Sequence, residues 1–406
     1  MASAANPRIY LDYNATAPLL PQARAAALAA LDCLGNPSSI HAEGRAARAI
    51  VEDARRLVGA MVSAPARSVV FTSGGTEAAN LVLTPAIRRD GSAPPLTRLI
   101  LGAGEHPCML RGHRFPPQAI SLAPLDAEGR LNLEALAALI AGGEGAPMLA
   151  LQGANNETGV VQPVGEAAAV IHAAGGVLVC DAVQLPGRAN VAEATAGADF
   201  IILSAHKFGG PKGVGALIAT RPELALETPL LRGGGQERGA RAGTENVAAI
   251  AGFGAAAHWA LSETAQESVR LATLRDRLTE AALGVAPEAK LFGAGAPRLA
   301  NTVALGVPGV DAAMLVIALD LAGAAVSSGS ACSSGKVAPS HVLAAMGVAP
   351  ELAAGAIRLS LGWASGEADI DGFASAFAVA LAGLRRRHGT AGVTQSLVAQ
   401  TRPADA

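Results

Sequence analysis

Lys207 and Asp181 are the residues from which chemistry can first be read in this chain. Each closes an apolar run. Phe200, Ile201, Ile202 and Leu203 give way to Ser204, His206 and Lys207, and Val177, Leu178, Val179 and Cys180 give way to Asp181. The first run then enters Gly209, Gly210, Pro211 and Gly213, so it reads as a buried strand that stops in a tight turn. A lysine at such an edge is desolvated, which favours its neutral, nucleophilic amine. A surface lysine snorkelling beside a loop is the alternative. Asp181 precedes Lys207 by 26 residues. That is about one helix plus one strand, so the two are expected to end neighbouring strands. A buried carboxylate is costly unless it is paired. Capping a helix is one use for it, and facing a cationic ring nitrogen is another.

A strand-end lysine beside a carboxylate suits pyridoxal 5′-phosphate: the amine forms an imine and the carboxylate keeps the ring nitrogen protonated. A phosphate then needs a site. The segment FTSGGTEAANLVL (71–83) runs strand, glycine-rich turn, helix, which would place Thr76 and the N–H groups of Gly75 and Thr76 at a helix N-terminus. Ser204 and His206 could complete it, and a simple capping turn is the alternative. His106 follows the apolar run LILGAGE and could stack on a ring and move protons near neutral pH. Cys332 lies in SSGSACSSGK (327–336), flanked by nothing larger than Ser and Ala. An accessible thiol in such a glycine-containing loop is a candidate nucleophile. Cys33, Cys108 and Cys180 lack this context and read as structural. Arg358, inside the apolar run AIRLSLG, is expensive unless paired. It would clamp a carboxylate bidentately or form a buried ion pair with Asp or Glu.

The elements that must position these groups follow from the alternation of apolar runs with Ala/Leu-rich stretches. The runs are SVVFTS (68–73), RLILGAGEH (98–106), PMLALQGANN (147–156), GVLVCDA (176–182) and DFIILSAHK (199–207). They predict an α/β layer fold with a mostly parallel sheet. Each is polar at its C-terminal end, where open α/β sheets bind ligands. A helix predicted over 262–284 leads into a smaller α/β unit at 300–386, and the tail after Arg387 has no periodicity and is expected to be loose. The predicted organisation is a large domain over 16–262, a small domain from 1–15 and 263–388, and a tail over 389–406. The 406 residues carry a net charge of −2, which excludes nucleic-acid or membrane electrostatics as a driving force. Four scattered cysteines without zinc spacing, and no apolar leader, place the expected compartment in the reducing cytoplasm. A phosphate loop at 329–337 fails, because five residues separate Gly329 from Gly335 and Val337 replaces the hydroxyl residue.

Ten motifs in order along nearly the whole chain resemble the cysteine desulfurases, fold-type I pyridoxal-phosphate enzymes of the class-V aminotransferase group. They are YLDYNATAP, GNPSSIHAEGR, FTSGGTEAAN, EHP, NNETG, DAVQ, SAHKFGGPKG, GGGQERGARAGTENV, SSGSACSSGK and AIRLSLG. The cysteine loop and the TEN after RAG look most like the nitrogen-fixation type. The resemblance implies that Lys207 bonds the cofactor and later takes the substrate α-proton. Asp181 would pair with the ring nitrogen, Gln184 would bond the ring hydroxyl and His106 would stack on the ring. Asn156 would lie near that hydroxyl and the substrate carboxylate. Gly75, Thr76, Ser204 and His206 would hold the phosphate, with Thr244 reaching the phosphate of a partner subunit in a homodimer. Arg358 would clamp the carboxylate of L-cysteine, and Cys332 would take its sulfur as a persulfide, leaving L-alanine. An iron–sulfur scaffold is the implied acceptor of that sulfur. Selenocysteine lyase or another class-V aminotransferase is the alternative within the group. Ala17, Ala79 and Gln152 depart from the commonest pattern, and the C-terminal tail does not resemble the scaffold-docking end of the housekeeping type.

Overall fold

The computed structural model describes residues 8–89, 95–328 and 339–400, with side chains as far as Arg386. Seven strands form the large sheet: β1 (Val69–Thr72), β2 (Leu96–Gly102), β3 (Ile120–Ala123), β4 (Ala146–Gln152), β5 (Val177–Asp181), β6 (Phe200–Ser204) and β7 (Gly215–Ala219). Their spatial order is β1-β7-β6-β5-β4-β2-β3. All pairings are parallel except those of β7, which runs antiparallel to both β1 and β6. The central strands are apolar on both faces because helices cover both. Ile201 and Leu203 point into a core with Val51, Val58 and Phe253. Phe200 and Ile202 point the other way, against Ala78, Leu81 and Met109.

A second, four-stranded antiparallel sheet has the order β8-β9-β11-β10, with β8 at Lys290–Leu291, β9 at Thr302–Gly306, β10 at Ser327–Ser328 and β11 at Ala356–Ser360. Val303, Leu305, Ile357 and Leu359 share its core with Phe373 and Phe377, and Leu11 from the start of the chain joins them. One helix runs through both cores. Its 39 residues, Val247–Val285, bury Ile250, Phe253 and Ala257 early and Leu271, Leu274 and Leu278 late. The sequence predicts a buried helix over roughly 246–262 and a helical stretch over 262–284 as separate pieces, and the two are one continuous helix. Its first half is rich in Ala and Gly, which weakens the amphipathic signal, but those small residues permit close packing. A Cβ at Gly254 would lie 2.8 Å from Ala54 Cα on the neighbouring helix Ala42–Ala60. The tail expected to be loose is helical as well, since the last helix runs Glu367–Gln400 and no proline interrupts it before Pro403.

Candidate active site

The five polar-ended runs all belong to the large sheet, and their C-terminal ends meet the second sheet across a cleft of about 170 Å³. Lys207, Asp181, His106, Asn156, Gln184, Gly75, Thr76, Ser204, His206 and Arg358 all line it. β5 and β6 are paired neighbours, so Asp181 and the turn Ala205–Lys207 stand side by side. Lys207 Nζ donates to the carbonyl oxygens of Asn14 (2.9 Å) and Ala15 (3.0 Å). Asp181 Oδ1 accepts the Val183 N–H at 3.0 Å, a local turn contact. Burial raises the Asp181 carboxyl, opposed by that N–H and by Lys207.

Gly75 opens the helix Gly75–Val82. The N–H groups of Gly75 and Thr76 have no partner within a helix that begins there. A Cβ at Gly75 would come 3.2 Å from Val183 Cγ2, a tight contact, and 3.7 Å from Ser204 Cβ, so glycine leaves this corner the most room. The result is an anion cradle of backbone N–H groups flanked by the Thr76 and Ser204 hydroxyls. His206 faces it and contacts Thr16 Oγ1 through Nδ1 at 3.2 Å. Burial, then Lys207 and Lys212, push His206 down to about 4.

His106 caps the short helix Pro107–Arg111, with Nδ1 accepting the Cys108 N–H at 3.2 Å. Nδ1 is therefore unprotonated and the ring presents Nε2–H. Burial, then Lys207 and His341, push His106 down to about 4. The sequence reading expected an imidazole that titrates near neutral pH. Enclosure at the strand end leaves it uncharged there.

Arg358 is buried in β11. It donates through Nη1 to Asn156 O (3.0 Å) and through Nη2 to Asp12 Oδ1 (2.6 Å). The ion-pair alternative is thus realised with Asp12. Its Nε is buried with no partner among the described residues, and Arg358 itself lines the cleft.

One residue named from the sequence is not brought to the cleft. Thr244 is exposed and outside it. Cys332 lies outside the described residues. The described flanks of its segment do reach the site. Ser327 in β10 pairs with Arg358, and His341, which opens the helix His341–Ala345, contacts Glu105 O through Nε2 at 2.9 Å.

Four residues of the site escaped sequence reasoning. Asn14 bonds Asn156 O, Thr302 Oγ1 and Asn301 Nδ2, and so ties the two sheets together. Arg188 is buried beneath Lys207 and Gln184. Glu105 is fully buried, and desolvation raises it well above the usual carboxylate range. Its Oε1 accepts the Gln152 N–H at 2.8 Å. Glu157, inside NNETG, accepts the Ser340 O–H at 2.5 Å. Burial raises Glu157 from 4.5 to about 7, opposed by Ser340 and by Arg358.

Glu157 makes a prediction about stability. Its folded-state value lies above its unfolded one, so its contribution is fully present below about pH 4.5 and is lost as pH rises to about 7. The loss is on the order of 3 kcal/mol. Thermal melts across that window should fall more steeply for the wild type than for Glu157→Gln. Parallel curves would remove Glu157 as the cause.

The chain belongs to the class-V aminotransferase family, whose model matches residues 9–373. It is 42% identical over 370 residues to a cysteine desulfurase of Cereibacter sphaeroides, covering 90% of this chain and 93% of that one. It is 37% identical over 384 residues to an IscS-like cysteine desulfurase of Mycobacterium tuberculosis, with 93% and 97% covered. Among solved structures it superposes on a NifS-like protein from Rickettsia africae with a TM-score of 0.81 at 32% identity, covering 91% of this chain and 98% of the other. The sheet order, with its single antiparallel strand, is the fold-type I architecture expected from the sequence.

Proposed function

We infer that the protein is a pyridoxal 5′-phosphate-dependent cysteine desulfurase, which converts L-cysteine to L-alanine and leaves the sulfur on the enzyme as a persulfide. The observation that carries this reading is the single cleft where Lys207, Asp181, His106, Gln184 and the anion cradle of Gly75, Thr76 and Ser204 converge. Those residues fit the cofactor by their chemistry: an amine, a carboxylate, an uncharged ring, an amide and an anion cradle. Bound there, the cofactor supplies an electron sink for negative charge developing at the substrate α-carbon.

On this reading each of the chain's own residues has a part. Lys207 anchors the cofactor and moves the α-proton. Asp181 holds the proton on the ring nitrogen, and in return that cation offsets the desolvation that raises its carboxyl. His106 packs as a neutral ring and keeps extra positive charge away from Lys207. Gln184 donates to the ring oxygen. Arg358, which lines the cleft, binds the substrate carboxylate while Nη2 stays on Asp12. The Cys332 thiolate attacks the substrate sulfur: an S–S bond forms, the substrate C–S bond breaks, and the carbon takes a proton to become alanine.

The same reading makes the protein a cytoplasmic homodimer, with Thr244 reaching the partner's phosphate site and an iron–sulfur scaffold receiving the sulfur. It divides the chain at residues 16–262 and at 263–388 with 1–15, a division that the two packed cores support. No helix among the described residues is long and apolar enough to cross a membrane. Turnover of L-cysteine, L-selenocysteine, and L-alanine plus a keto acid tests the substrate. Cysteine is expected to be consumed with alanine formed one for one. Turnover of selenocysteine alone, or transamination alone, would overturn the assignment.

A further inference from the structure

Arg188 is a cation with 6% of its surface exposed, and it is held by oxygen dipoles. Its Nη1 donates to Gln184 O (3.0 Å) and to Gln184 Oε1. Its Nη2 donates to Lys207 O (2.9 Å) and Tyr13 O (3.3 Å). No carboxylate pairs with it among the described residues. Burial, then Arg358, push Arg188 down to about 9, so it remains charged at neutral pH. A buried charge without a counter-ion is costly, and here two of the residues it grips line the cleft.

The contacts allow only one orientation of the Gln184 amide. A guanidinium has no acceptor, so the atom facing Arg188 must be the amide oxygen. The amide nitrogen then points the other way. It donates to Asn14 O at 3.1 Å, the same carbonyl that accepts from Lys207 Nζ. One N–H of this nitrogen is used there, and the second is left for the cleft.

We propose that Arg188 is a positioning residue of the cofactor site. It locks the Gln184 amide with its nitrogen toward the cleft, as a donor to the cofactor's ring oxygen, and it pins the main chain of Lys207. The proposal rests on the cofactor assignment above and adds a residue that touches neither cofactor nor substrate. A donor on the ring oxygen favours its proton-free form, and a nearby positive charge does the same. Losing either moves the proton equilibrium of the lysine-bound cofactor upward in pH.

The test is a pH titration of the visible absorbance band of the cofactor-loaded protein. Arg188→Met and Gln184→Met are each expected to raise the midpoint by about one unit or more. Arg188→Lys keeps the charge but not the fork, and is expected to raise it by a smaller amount. If Arg188 acts through Gln184, Arg188→Lys combined with Gln184→Met should shift no further than Gln184→Met alone. Additive shifts would overturn the positioning role, as would a wild-type midpoint in Arg188→Met. Should Arg188→Met fail to fold, an unshifted midpoint in Arg188→Lys overturns the proposal equally. Absence of any coloured band in the wild type would sink the cofactor assignment itself, an outcome distinct from all of these.

Discussion

Lys207→Ala is expected to lose cysteine turnover by about a thousandfold or more, together with the visible band of the bound cofactor. The amine lies at the end of a buried strand and is aimed by two carbonyl acceptors, Asn14 O and Ala15 O. The substitution removes both the covalent anchor and the group that moves the α-proton. Its structural cost is small by comparison. Two carbonyls lose one donor, worth on the order of 1 kcal/mol each, while the sheet beneath is untouched. A folded variant with unchanged melting behaviour and no band shift separates chemistry from stability. Retention of the band and of turnover in Lys207→Ala would remove the lysine from its role.

Cys332→Ala is expected to do something different: keep the band, keep cysteine binding and form no persulfide. Alanine production should fall to background, a loss of at least about a thousandfold. The other three thiols are poorly suited to substitute, although Cys108 itself lines the cleft. Cys180 is fully buried inside β5 and its thiol is raised by burial, then by Asp181 and Glu105. Cys108 is raised by burial as well and contacts His106 Nδ1 at 3.0 Å. Cys33 does not line the cleft. Mass mapping of the persulfide after incubation with L-cysteine checks the assignment. A persulfide on Cys108 in the wild type, or wild-type sulfide release from Cys332→Ala, would move the nucleophile elsewhere.

Much of the catalytic sheet was legible because its information is local. Each apolar run is long enough to mark a strand, and each ends in polar residues that cannot stay buried in the strand. That pattern alone puts Asp181, Lys207, His106, Asn156 and Thr76 at one edge. The antiparallel strand Gly215–Ala219 and the short Ile120–Ala123 were not legible. Both are as long as strands that were read, but neither is flanked distinctively enough to stand out from the loops around it. The buried stretch at 246–262 was legible as helix, but its continuity with 262–284 was not, because its Ala- and Gly-rich sequence lacks the periodicity of the second half.

The supporting residues were illegible for another reason: their partners are remote in sequence. Asn14 meets Thr302 and Ser360, and Glu157 meets Ser340. Arg188 did carry a local signal, since it stands four residues after Gln184 in the turn leaving β5. Nothing local says that this arginine turns inward beneath Lys207 rather than outward to solvent. Arg358 shows the opposite case. The sequence offered both an ion pair and a carboxylate clamp, and the geometry contains the pair with Asp12 while leaving Nε unused.

The measurement that tests the central claim most directly is a visible absorbance spectrum of the purified protein before and after L-cysteine, with alanine and sulfide assayed in the same tube. The account predicts a yellow band that changes on cysteine addition, with alanine formed as cysteine disappears. A protein that stays colourless even after pyridoxal 5′-phosphate is added would contradict it, because the cleft around Lys207 would then not hold the cofactor.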